Sequence, residues 1–174
     1  MSKLIYLTGG AACGKSTYAL DLAKASGEEV TFIATATYSD KEMYEKIAAH
    51  KRERPKSWEL IEVGEGSLLE AVRKVNTAVA IIDCITMFTS TQVVLLEQTR
   101  ETIIKLILEA LKAMQEHQTC NQFIIVSNEV GWGLIPEHVL GRAYRETLGA
   151  VNKKVMASSD EAILFISGFP LRLK

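Results

Sequence analysis

The chain has 174 residues, with 20 Lys and Arg against 21 Asp and Glu and a net charge of −1. At about 150 residues per domain, one domain over 1–174 is expected. A near-neutral charge without a basic stripe excludes an electrostatic nucleic-acid binder, and 48% apolar residues exclude disorder.

The first apolar run, Leu4–Thr8, reads as a buried strand, and a helical pattern follows over Lys15–Lys24. That run is short and ends in glycines, so no signal peptide is expected. Val30–Ala34 is the second strand. The segment from Ala34 to Trp58 departs from the alternation. It holds a charged helix over Asp40–Glu53 that ends before Pro55, with Ser39 and Glu42 as a capping box. It reads as a helical excursion around 36–57. Further strands are expected at Glu59–Val63, Ala78–Cys84, Gln122–Ser127 and Glu161–Ser167. Helices are expected at Ser67–Val75, Val94–Glu116 and Glu137–Ala157. The apolar stripe of Val94–Glu116 (Val94, Leu95, Ile103, Ile104, Leu106, Ile107 and Leu111) is either core or interface, and reads as core before interface. Strand–helix alternation with nearly continuous apolar strands predicts one α/β domain around a mostly parallel sheet. No apolar run approaches the ~20 residues that cross a bilayer. The cysteines, Cys13, Cys84 and Cys120, lack CxxC spacing and fit a reducing, cytoplasmic setting.

The strongest local signal is Gly9-Gly10-Ala11-Ala12-Cys13-Gly14-Lys15-Ser16, between the first strand and the first helix. It matches G-x-x-x-x-G-K-[ST]. Glycines let successive backbone N–H groups turn inward around phosphate oxygens, and the helix adds its positive end. Lys15 is expected on the outer phosphates and the Ser16 hydroxyl on Mg²⁺. The bland alternative is a glycine-rich turn without a ligand. Asp83 closes the run Val79–Ile82, where a carboxylate points into the crevice at the strand ends. It reads as the second Mg²⁺ residue, or else as a cap on the next turn.

Met43, Ile47 and His50 share one face of the charged helix. The residues alone leave His50 open between a satisfied, partly buried histidine and a catalyst. Lys51, Arg52 and Arg54 follow it, either as a polyanion site or as cations offsetting a helix dipole. His117 and His138 stand in polar settings and receive no role.

Several blocks together resemble the adenosylcobinamide kinase/adenosylcobinamide-phosphate guanylyltransferases of cobalamin biosynthesis, over essentially the whole length. They are Thr8–Ala11, Phe32-Ile33-Ala34-Thr35, Glu42-Met43, His50-Lys51-Arg52-Glu53-Arg54-Pro55 with Trp58, and Asp83-Cys84-Ile85-Thr86. They continue with Ser127-Asn128-Glu129-Val130-Gly131-Trp132-Gly133, Pro136-Glu137, Asn152 and the tail Ser167–Lys174. The resemblance implies a P-loop NTPase fold with a RecA-like sheet. It implies phosphorylation of adenosylcobinamide by ATP or GTP, then transfer of GMP from GTP through a guanylylated histidine, which matches His50. It assigns nucleotide contacts to Gly9, Gly10, Ala11, Ala12, Cys13, Gly14, Lys15 and Ser16, and to Ala34, Thr35 and Ala36. It extends them to Lys51, Arg52, Glu53, Arg54, Glu62 and Asp83. It implies a homo-oligomer, a trimer, with the His-bearing helix near a neighbouring subunit. Asn128, Glu129 and the Gly131–Gly133 loop are expected to shape the cobinamide pocket or position its hydroxyl, against the alternative of a structural turn.

The chain departs from the family pattern at Ala12 and Cys13, where an Arg and a Ser are usual, and at Thr91, where the family tends to carry Asn. Backbone groups cradle phosphates, so nucleotide binding survives the first departure, which bears on the kinase half. Neither departure touches His50. The alternatives are a P-loop kinase of another small alcohol, with no use for His50, and a nucleotide-gated regulatory protein.

Overall fold

The structure, a computed structural model, describes residues 1–36 and 54–174. The expected helix Asp40–Glu53 lies outside the described residues. Seven strands form one sheet: β1 (Lys3–Gly9), β2 (Val30–Ala34), β3 (Glu59–Glu62), β4 (Val79–Asp83), β5 (Gln122–Val126), β6 (Glu161–Ile166) and β7 (Phe169–Arg172). Their order is β3-β2-β4-β5-β1-β6-β7. All pairings are parallel except β6 with β7. The helices are α1 (Lys15–Ala25), α2 (Leu68–Arg73), α3 (Ile85–Ser90), α4 (Arg100–Gln115) and α5 (Val139–Ser158).

The central strands β1, β4 and β5 are buried on both faces, which explains their unbroken apolar runs. One face packs against α1, where Ile5, Leu7, Ile81, Ile124 and Val126 meet Ala19, Leu20 and Ala23. Ala19 and Ala23, four apart, let α1 lie close to the sheet. The other face is larger. Leu4, Tyr6, Ile82, Phe123 and Ile125 pack there with Val72 of α2, Phe88 of α3, Ile103, Ile107 and Leu111 of α4, and Val151 and Val155 of α5.

Besides α3, a helix where none is expected, two expectations need correction. The helix expected over Val94–Glu116 starts only at Arg100. Thr99 is extended, and its Oγ1 accepts from the Thr102 N–H at 3.2 Å, so a cap replaces continued helix. Val94 and Leu95 belong instead to a π-helical turn, Thr91–Leu95, that continues α3, and they are 43% and 54% exposed. Ile103, Ile107 and Leu111 do form core, as the stripe predicts. The second correction is β7, a strand where none is expected. Ser167 and Gly168 both take positive φ, 50° and 87°, and turn the chain back antiparallel onto β6.

Candidate nucleotide site

The loop Gly9–Ser16 leaves β1 and enters α1 at the carboxyl edge of the sheet. Gly9 sits at φ 142°, and a Cβ there would lie 2.4 Å from the Phe165 carbonyl oxygen of β6. Only glycine permits that approach. Gly14, at φ 95°, delivers the chain into the helix, and Ala12 takes φ 54°. Lys15 is only 5% exposed. Its ammonium donates to the carbonyls of Gly9 at 3.1 Å and Gly10 at 2.5 Å, and to Cys13 Sγ at 3.3 Å. Three donors meet three acceptors, which is how a buried cation is tolerated. The charge is thereby fixed in the middle of the loop. Ser16 follows in the first helical turn, half-buried.

Parallel pairing brings the other expected residues to the same edge. Ala34 lies opposite Asp83 on one side and Glu62 on the other. Thr35 is fully buried and clamps the end of β4. Its Oγ1 accepts from the Cys84 N–H at 2.7 Å and donates to the Cys84 carbonyl at 2.6 Å, while its N–H donates to the Asp83 carbonyl. The Asp83–Cys84 peptide is cis. Burial first, and then the neighbouring Asp83 charge, push the Cys84 thiol up to about 12; Lys15 opposes them. The two charged groups of the site therefore both act on Cys84. The Arg54 guanidinium lies 4.3 Å from the centre of the Phe32 ring, on the α1 face. His50, Lys51, Arg52 and Glu53 lie outside the described residues.

Ser16 and Asp83 offer a hydroxyl and a carboxylate, hard oxygen donors of the kind Mg²⁺ takes. Among the described residues no cluster of three or more His, Cys, Asp or Glu forms a metal cage. Two protein oxygens fit a Mg²⁺ that keeps waters and phosphate oxygens.

Sequence reasoning missed a buried polar network on the opposite face. Asn152 of α5 donates from Nδ2 to the Asn128 carbonyl and to Glu129 Oε1, both at 3.0 Å. Its Oδ1 accepts from Ser127 Oγ at 2.8 Å. Thr86 Oγ1 accepts from the Asn128 N–H at 2.6 Å and meets Ser127 Oγ at 3.2 Å. Thr8 Oγ1 donates to Glu129 Oε1 at 3.4 Å, and the Glu129 N–H donates to the Gly9 carbonyl at 2.9 Å. Burial, with the Glu129 charge adding to it, raises the Tyr6 hydroxyl well above the usual tyrosine range. The signal in the sequence was Asn152, a polar residue within the apolar stripe Leu148, Val151 and Val155. Beyond Glu129, Arg145 donates to the carbonyls of Gly131 and Gly133, and Arg142 to those of Pro136 and Glu137. His117, given no role above, accepts the Cys120 N–H at its Nδ1 and serves a loop turn.

The family model described as "CobU: Cobinamide kinase / cobinamide phosphate guanyltransferase" matches residues 5–173. The chain belongs to this family. Membership makes it a transferase of cobalamin biosynthesis. The bifunctional adenosylcobalamin biosynthesis protein CobU of Salmonella typhimurium is 30% identical over 188 residues, covering 98% of this chain and 99% of that one. Its counterpart in Escherichia coli is 30% identical over 185 residues, with the same coverage. The bifunctional protein CobP of Pseudomonas aeruginosa is 31% identical, covering 97% of this chain and 95% of that one. Solved structures that resemble this CobU-family chain share its P-loop NTPase fold at low identity. An ATPase of a type III secretion system matches with TM-score 0.59 and 10% identity, over 94% of this chain and 51% of that one. The RadB recombinase matches at 0.54 and 17%, over 93% and 73%. The flagellar accessory protein FlaH of Methanocaldococcus jannaschii matches at 0.54 and 16%, over 99% and 78%. Among the described residues no helix is long and apolar enough to cross a membrane.

Proposed function

We propose that this chain phosphorylates the hydroxyl of adenosylcobinamide with ATP or GTP and then transfers GMP from GTP to the product. The family match over residues 5–173, which includes the phosphate loop and His50, carries the reading. In the first step the acceptor oxygen bonds to the γ-phosphorus and the bond to the leaving nucleoside diphosphate breaks. Lys15, seated at the centre of the loop, meets the charge on the phosphates. Gly9–Ser16, Ala34–Ala36, Arg54, Glu62 and Asp83 are read as nucleotide contacts; the ends of β1, β2, β3 and β4 meeting at one edge support this for all but Arg54, which enters by resemblance. Lys51, Arg52 and Glu53 complete the set by resemblance. Ser16 and Asp83 would hold Mg²⁺, which supplies charge neutralisation on the phosphates when bound.

In the second step a neutral His50 nitrogen attacks the α-phosphorus of GTP. An N–P bond forms and pyrophosphate leaves with the electron pair. The phosphate of the first product then attacks the same phosphorus, the N–P bond breaks, and adenosylcobinamide-GDP results. The loop beyond Glu129 shapes the acceptor pocket. Its Trp132 and Leu134 are 69% and 95% exposed, an apolar surface suited to a macrocycle. The enzyme acts as a homo-oligomer, a trimer, in the cytoplasm.

Mass spectrometry of the corrinoid products tests this reading. With ATP alone the expected product is adenosylcobinamide phosphate, and added GTP converts it to adenosylcobinamide-GDP. Turnover of other alcohols but not of cobinamide would assign the chain to a plain P-loop kinase. Nucleotide binding without any turnover would assign it to a regulator.

A further inference from the structure

Side chains alternate across the sheet at its carboxyl edge, and the alternation separates Asp83 from Glu129. On β4, Ile81 packs under α1 and Ile82 on the opposite face, so Asp83 returns to the α1 face. On β1, Ile5 and Leu7 pack under α1, whereas Leu4 and Tyr6 lie on the opposite face, which Thr8 continues. Glu129 bonds to Thr8 there, and to Asn152 of α5. The phosphate loop turns from β1 into α1, which places the diphosphate to be expelled on the α1 face. In-line phosphoryl transfer requires the attacking oxygen to enter from the other side of the phosphorus. Among the described residues, Glu129 is a carboxylate at that side of the edge.

Its surroundings hold the group in one place. The Glu129 N–H is tied to Gly9, the first residue of the loop, at 2.9 Å. Among the described residues both side-chain bonds fall on Oε1, which leaves Oε2 to accept from the substrate hydroxyl. Asn152 is 5% exposed and can take only one amide orientation, because reversing it would set its oxygen against the Asn128 carbonyl and the carboxylate.

We propose that the Glu129 carboxylate accepts the proton of the acceptor hydroxyl during phosphoryl transfer, with Asn152 as its positioning residue. The inference rests on the kinase reading above. As the acceptor oxygen bonds to the γ-phosphorus, its proton passes to Glu129. The bridging O–P bond breaks, and its electron pair leaves with the nucleoside diphosphate. Glu129 later returns the proton to water.

The test is steady-state phosphorylation of adenosylcobinamide by γ-labelled GTP, and by γ-labelled ATP in parallel, across a pH series, in wild type, Glu129→Gln, Glu129→Asp and Asn152→Ala. GTP affinity is measured in parallel with a fluorescent analogue. Glu129→Gln is expected to lose about 10²–10⁴-fold in kcat and the acidic limb of the pH profile, with GTP affinity within about threefold of wild type. Glu129→Asp should restore part of kcat together with that limb. Asn152→Ala should lower kcat while keeping the limb. A Glu129→Gln enzyme with wild-type kcat and pH profile overturns the inference and leaves the kinase reading intact. Loss of kcat and GTP affinity together in both Glu129 variants assigns the residue to structure and also overturns it. A wild-type enzyme that phosphorylates adenosylcobinamide with neither GTP nor ATP removes the kinase reading itself.

Discussion

Lys15 is a buried cation whose three donors are all engaged by its own loop. Its removal takes away a fixed charge and strands the carbonyls of Gly9 and Gly10. Lys15→Ala should therefore lower phosphoryl transfer by about 10²–10³-fold and cost about 1–3 kcal/mol of stability, read by kinetics and denaturant titration side by side. Gly9 is the reverse case, structural before it is chemical. A Cβ at 2.4 Å from the Phe165 oxygen forces β1 and β6 apart. Gly9→Ala should destabilise the fold by more than about 2 kcal/mol, measured as a drop in urea midpoint. Thr35 serves a third purpose. Its hydroxyl holds both the N–H and the carbonyl of Cys84. Thr35→Val keeps the shape and strands two polar groups, so a loss of about 1–3 kcal/mol is expected in the same titration.

At the scale of elements, β1, β2, β4 and β5 could be placed from apolar runs because central parallel strands are buried on both faces, and β6 from its apolar run although it is only partly buried. The phosphate loop was legible for a different reason: its residues are dictated by backbone geometry, as Gly9 and Gly14 demonstrate. What misled was local chemistry outweighing periodicity. The stripe from Val94 to Leu111 continues across Glu97, which takes φ 49°, and Thr99, which caps α4. Four residues there break a pattern that hydrophobicity alone reads as unbroken. β7 was hidden because it is exposed along its length and contains Pro170, which suits only an edge strand. The Thr8–Glu129–Asn152 network was illegible because its members lie far apart in sequence and meet only through the β1–β5 pairing and the packing of α5. The blocks around Asn128 and Asn152 were visible as marks of resemblance, without a physical role for Asn152.

Across the whole molecule, the two faces of the sheet divide the work. The α1 face carries the phosphate loop, Asp83 and Arg54, whereas the opposite face carries the deeper core and the Glu129 network. Several acids inside this fold are held neutral by burial. Cys84 is pushed up to about 12, Cys120 to about 11 and Tyr144 to about 12. The folded state keeps these protons where the unfolded chain, titrating near 9.0 and 10.0, has released them. Their contribution to stability is complete below about pH 9 and falls as pH rises toward 12. Urea midpoints should accordingly decline from pH 8 to pH 10.5, and Cys84→Ser and Cys120→Ser together should flatten that decline.

On the proposed reading, one chain with one phosphate loop also makes a covalent nucleotidyl intermediate on His50. The most direct measurement is incubation with Mg²⁺ and GTP labelled on the α-phosphate, followed by acid and alkali treatment of the recovered protein and peptide mapping. The label is expected to survive alkali, leave in acid, map to His50, and be missing from a His50→Ala variant that still binds GTP. A wild-type protein that binds GTP and carries no such label would contradict it.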